Sequence, residues 1–165
     1  MRNHKKGYTL IELILYTAIL SSVLTVMIFI TRSMYDARAR VRTSVLVREN
    51  LRFALTQMVA NIRGADGVTT PSSASTSSTL ELIMNDSAIN PTIFSVGNGQ
   101  VWLAQGSEDA VAITSAEVEV TELSFERSST DPPFVRITLS GDKRDAAGPY
   151  QFPITLTDSA TIRRE

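Results

Sequence analysis

Apolar positions along the chain fall into three textures, and each predicts a different kind of element. Between Tyr8 and Ile30 every residue is apolar or a Thr, Ser or Tyr, with one exception, Glu12. As a helix rising ~1.5 Å per residue, this stretch is long enough for the ~30 Å hydrocarbon layer of a bilayer. From Thr31 onward the apolar residues thin to helical spacing. Met34, Ala37, Val41 and Val45 form one series, and Val47, Leu51, Leu55, Met58 and Ile62 form a second. The two series slip out of phase around 45–47, so the segments that carry them are expected to face different neighbours. No proline or glycine interrupts residues 8–63, and Gly64 followed by Gly67 is expected to stop the helix. The pattern therefore predicts one long helix, with a membrane-competent half over 8–30 and an amphipathic half over 31–63.

Beyond the helix the apolar period shortens to two. Residues 64–79, with the run "TTPSSASTSST", read as a Ser/Thr-rich connecting loop, and 80–165 as an antiparallel β head. "TLELIM" (79–84) is a first strand, and "TIFSVGNGQVWLA" (92–104) a hairpin in which Gly97-Asn98-Gly99 tolerate the positive φ of a tight turn. In "AEVEVTELSFE" (116–126) Val118 and Val120 share one face, and Leu123 and Phe125 resume it after a one-residue slip, which predicts a bulge. "FVRITLS" (134–140) alternates cleanly. "YQFPITLT" (150–157) is the last strand, and Pro153 within it argues for a sheet edge. The fold class expected is α+β, a long N-terminal helix packed through its second half on an antiparallel sheet.

Composition removes several kinds of chemistry. The chain has no cysteine, so it has no disulfide, thiolate nucleophile or Cys-ligated metal. Its one histidine is His4, in the short basic stretch before the apolar run, so residues 8–165 have no imidazole for a Ser-His-Asp arrangement or a zinc site. Charge is segregated. Residues 31–63 hold seven arginines against two acids, a balance of +5, whereas 64–165 hold fourteen acids against six bases, a balance of −8. An acidic head lacks the clustered cations that phosphate backbones require, so no direct nucleic-acid binding is expected. No enzymatic activity and no cofactor is expected either.

A short basic leader (Arg2, Lys5, Lys6) ends at Gly7, an aromatic follows at Tyr8, and "TLIEL" (9–13) heads the apolar helix. This start resembles the type IV pilin and type II secretion pseudopilin family. The resemblance implies that a prepilin peptidase removes residues 1–7 by cutting after Gly7, and that Tyr8 becomes an N-methylated terminus. It implies that Thr9, Leu10, Ile11 and Leu13 belong to the assembly helix, and that Glu12 pairs with the N-terminal amine of a neighbouring subunit. The implied partners are other pilin or pseudopilin subunits, the peptidase, an inner-membrane assembly platform and the lipid bilayer. The implied location is a single pass through the cytoplasmic membrane with the head exported, and then a surface or periplasmic filament. Later in the chain "VEVTELSF", a turn and "FVRITL" are similar to minor subunits of the J or W kind. Major pilins usually carry a proline midway through the membrane helix and often a C-terminal disulfide; both are missing here.

The resemblance makes Glu12 intelligible. A charged side chain at the bilayer centre costs roughly 2.5–3.5 kcal/mol on insertion scales, and a cation brought into the same layer offsets that cost. The alternatives are that Glu12 sits at head-group level near the helix start, or that residues 8–30 merely tether an exported binding domain or enzyme.

Three further features carry competing readings. Arg38, Arg40 and Arg42 meet acids on adjacent subunits, or they form a solvated or lipid-facing helix surface. Cations after the apolar stretch outnumber those before it, so cation counting places the head in the cytoplasm, against the leader motif. Asp142 and Asp145 in "SGDKRDAAGPY" are candidate calcium ligands, with a solvated turn as the alternative. Phe94 and Trp102 are read as core residues or partner contacts.

Overall fold

The computed structural model describes residues 9–130, 132–145 and 151–162. Its architecture is α+β. Helix α1 (Leu10–Arg63) is followed by nine strands: β1 (Ala65–Thr70), β2 (Thr76–Ser77), β3 (Leu80–Met84), β4 (Thr92–Gly97), β5 (Gln100–Gln105), β6 (Val111–Ala112), β7 (Val118–Arg127), β8 (Phe134–Lys143) and β9 (Ile154–Thr161). Contacts divide the chain into two units, Met1–Val41 and Arg42–Glu165, and α1 contributes to both.

In the second unit the strands form two antiparallel sheets, one in the order β1-β3-β4-β5-β6 and the other β2-β7-β8-β9. Their inner faces and one stripe of α1 close a single core. The helix supplies Val47, Leu51, Ala54, Leu55, Met58, Val59 and Ile62, all buried, at the spacing of one helical face. The sheets supply Leu80, Leu82, Phe94, Val101, Phe125, Ile137 and Leu139, all inaccessible to solvent. Phe94 is thus a core residue. Trp102 is half-buried, and its Nε1 donates to the Gly97 carbonyl at 2.8 Å.

The bulge in the 116–126 segment is present. The β7–β8 register shifts between Val120 and Glu122, which lets Val118, Val120, Leu123 and Phe125 all face the core. The hairpin turn is also as the sequence predicts, with φ of 53° at Asn98 and 70° at Gly99. A Cβ on Gly99 would lie 3.0 Å from the Arg144 guanidinium, so the turn needs glycine both for its backbone and for the clamp closing over it. That clamp joins the sheets: the Val120 amide donates to Gly99 O at 2.8 Å, and Arg144 Nη2 donates to Asn98 O at 2.7 Å. At another junction Arg127 Nη1 donates to Val68 O at 2.7 Å.

Three expectations differ from the structure. The connector expected over 64–79 contains strands β1 and β2, because Ala65 and Val68, three residues apart, both reach the core across a register shift. The last strand is Ile154–Thr161 rather than 150–157; Pro153, which has no N–H to donate to a ladder, stands just outside it. It is an edge strand, pairing only with β8 in its sheet. Finally, β8 continues through Gly141, Asp142 and Lys143, which the sequence reads as a turn. Gly141 permits this: a Cβ there would lie 3.0 Å from Glu119 O and 3.2 Å from Leu51 Cδ2, so the bare backbone admits the helix.

Candidate functional site

Residues 10–41 of α1 lie in the first unit. A segment of them is long and apolar enough to cross a membrane, and none of that segment is buried. Its large apolar side chains are exposed on every side of the helix, from Leu10 (77%) and Ile11 (75%) through Val23 (49%) to Phe29 (73%). A helix that is apolar all round has no solvated face, so its surroundings must be lipid or other protein.

The polar residues in this stretch obey the same condition. Each Ser and Thr hydroxyl bonds to a carbonyl of its own helix: Thr17 to Ile14 O (2.9 Å), Ser21 to Ala18 O (2.9 Å), Ser22 to Ile19 O (3.0 Å) and Thr25 to Ser21 O (2.8 Å). Thr31 donates to Met27 O (2.8 Å) and Ser33 to Phe29 O (3.0 Å). A donor satisfied on its own helix carries no desolvation penalty in hydrocarbon. Sequence reading passed over these six residues, although the signal was visible as Ser and Thr scattered through an otherwise apolar run.

Glu12 is the exception. It lies in the first turn of α1 and is half-buried. Thr9 stands just before the helix, and its carbonyl accepts from the Glu12 amide (3.1 Å) and the Leu13 amide (3.2 Å). Thr9 is therefore at the N-cap and Glu12 at the third helical position, the spacing of a capping box. A negative charge there is favoured by the helix dipole by about 0.3–1 kcal/mol. This local term is too small to offset transfer of a carboxylate into hydrocarbon. Among the described residues, the Glu12 carboxylate has no hydrogen-bond or ion-pair partner. Gly7 and Tyr8 lie outside the described residues. Leu10, Ile11 and Leu13 surround Glu12 as exposed apolar side chains.

Arg38, Arg40 and Arg42 are all exposed. Arg38 joins Thr31, Met34 and Tyr35 around a shallow depression of about 120 Å³. In the second unit a larger open groove of about 520 Å³ runs between Arg48, Arg52 and Leu55 of α1 and Leu156 to Asp158 of β9.

The two candidate calcium ligands lie at and just beyond the end of β8. Asp142 is paired across the strands with Glu119, and its Oδ1 accepts the amides of Lys143 (2.7 Å) and Phe152 (3.2 Å). Asp145 is exposed, at a φ of 58°. Among the described residues no group of three or more His, Asp or Glu is placed to hold a metal.

No protein-family model matches the chain, and comparisons with curated proteins and with solved structures likewise find no match.

Proposed function

We propose that this chain is a non-enzymatic, pilin-like structural subunit, of the minor pilin or pseudopilin kind. A prepilin peptidase cuts it after Gly7, Tyr8 becomes the methylated N-terminus, and α1 first anchors it in the cytoplasmic membrane with the head exported. It then enters a filament, or the complex that initiates one, through that same helix. The observation that carries this reading is the helix surface around Glu12. The side chains are exposed and apolar on all sides, every Ser and Thr hydroxyl from Thr17 to Ser33 is turned onto its own helix, and one carboxylate stands in the first turn. A tether needs the apolar surface but gains from the carboxylate only the small helix-dipole interaction. A docking helix gains a registration mark, because a cation carried by a second molecule offsets the Glu12 desolvation cost at only one stagger.

Processing is the direct test. Mass spectrometry of the protein from membranes that contain a prepilin peptidase should show loss of residues 1–7 and gain of one methyl group. An intact leader on the membrane-resident protein would leave only the anchored-domain reading.

Orientation is tested separately. A reporter fused after Glu165 should be active on the exported side, despite the arginines that follow the apolar stretch. Cytoplasmic activity of that fusion would reverse the topology.

A further inference from the structure

Arg32, Tyr35 and Arg38 all lie within eight residues of Ile30, the last residue of the uninterrupted apolar stretch. At ~1.5 Å per residue their Cα atoms stand about 3, 8 and 12 Å beyond it along the helix axis. The polar layer flanking a ~30 Å hydrocarbon core is about 5–8 Å deep on each side. Helical side chains lean toward the N-terminus, so the long Arg38 side chain reaches back toward the apolar stretch. All three polar groups therefore fall within reach of one layer.

Thr31, Met34, Tyr35 and Arg38 line the depression already described. Thr31 has turned its hydroxyl onto Met27 O at 2.8 Å. What remains for a ligand is an apolar wall from Met34, 52% exposed, beside the phenol of Tyr35, 67% exposed, and the Arg38 guanidinium. We propose that this depression binds the phosphate headgroup of an anionic phospholipid, while Arg32, about 120° round the helix from Arg38, faces the same layer on another side. Guanidinium matches phosphate oxygens in a fork geometry, a tyrosine hydroxyl at head-group depth adds a donor, and Met34 meets the first carbons of the acyl chains. An acidic side chain of a neighbouring subunit satisfies the arginines equally well but has no use for the apolar wall, and lipid is the ligand that presents both at once.

This inference rests on the membrane-spanning part of the function proposed above. The test therefore starts with the full-length chain reconstituted into vesicles of phosphatidylcholine alone. Failure to insert there overturns the membrane reading itself. Spin-labelled phosphatidylglycerol and spin-labelled phosphatidylcholine are then compared as probes of the lipid held at the protein surface. The wild-type chain should favour the anionic probe roughly fivefold, a factor of the size expected for one well-placed arginine. Arg32→Gln combined with Arg38→Gln should bring the preference to parity, and Arg63→Gln, at the far end of α1, should leave it unchanged. Equal retention of both probes by the wild type, or a preference that survives the double substitution, overturns the proposal. So does a double substitution that weakens association between copies while leaving the lipid preference intact, because the arginines then serve acidic neighbours.

Discussion

Glu12→Ala is expected to abolish entry into filaments while leaving the protein inserted and folded. Locally the substitution costs only the favourable interaction of the carboxylate with the helix dipole, about 0.3–1 kcal/mol at an exposed first turn. The core of the head begins at Val47, far along the sequence from this turn. Between molecules the arithmetic differs. Once the carboxylate is gone, the incoming cationic terminus is desolvated without a partner, and removing one member of a buried pair costs about 3–5 kcal/mol. That corresponds to a loss of roughly two to four orders of magnitude in incorporation, at 1.4 kcal/mol per factor of ten. The measurement is the ratio of protein in the sheared filament fraction to protein in the membrane fraction. Glu12→Gln keeps the shape and the hydrogen-bonding capacity without the charge, and it should fail equally. A neutral residue that incorporates at the wild-type level would remove Glu12 from the assembly step.

The largest effect on stability is expected from Leu51→Ala. Leu51 is fully buried, lies midway along the helical stripe that closes the core, and packs against the bare backbone of Gly141 in β8. Truncating such a leucine removes its transfer energy and leaves a cavity, for about 2–5 kcal/mol in total. Domains of this size are stable by only about 5–15 kcal/mol. The wall facing Leu51 is a strand in a two-sided ladder between β7 and β9, which limits how far the site can collapse and puts the cost toward the upper end. Met34→Ala is the internal comparison: Met34 belongs to the earlier apolar series, is 52% exposed, and should shift the unfolding midpoint little. Denaturation of the full chain in micelles, followed by the fluorescence of Trp102, measures both. If the two substitutions proved equally costly, the division of α1 into an uncovered part and a core-forming part would be wrong.

That division is the element most legible in the sequence. The phase slip at 45–47, visible in the helix pattern, separates Met34, Val41 and Val45, all exposed, from Val47, Leu51 and Met58, all fully buried; the expectation that the whole of 31–63 packs on the sheet was too broad, because the first series leaves its apolar side chains uncovered. The hairpin and the bulge were legible for a similar reason: each is written in a local feature, a Gly-Asn-Gly turn or a one-residue break in alternation. β1 was not legible, because "ADGVTT" puts two core residues among a glycine, an aspartate and threonines, and only its register against β3 makes it a strand. The continuation of β8 through Gly141 was hidden because glycine beside aspartate is ordinary turn chemistry. What makes it strand is the helix approaching from the other side, a contact invisible along the chain. In the site, Glu12 stood out as the only charge in the apolar stretch. Its place at the third helical position depends on where the helix starts, which periodicity fixes only to within a few residues.

The six hydroxyls folded back onto α1 have a mechanical consequence. Since none of them reaches sideways, moving the apolar stretch from one oily environment to another breaks none of these six bonds. A surface so indifferent to its company can be stored, withdrawn and stored again without chemical change.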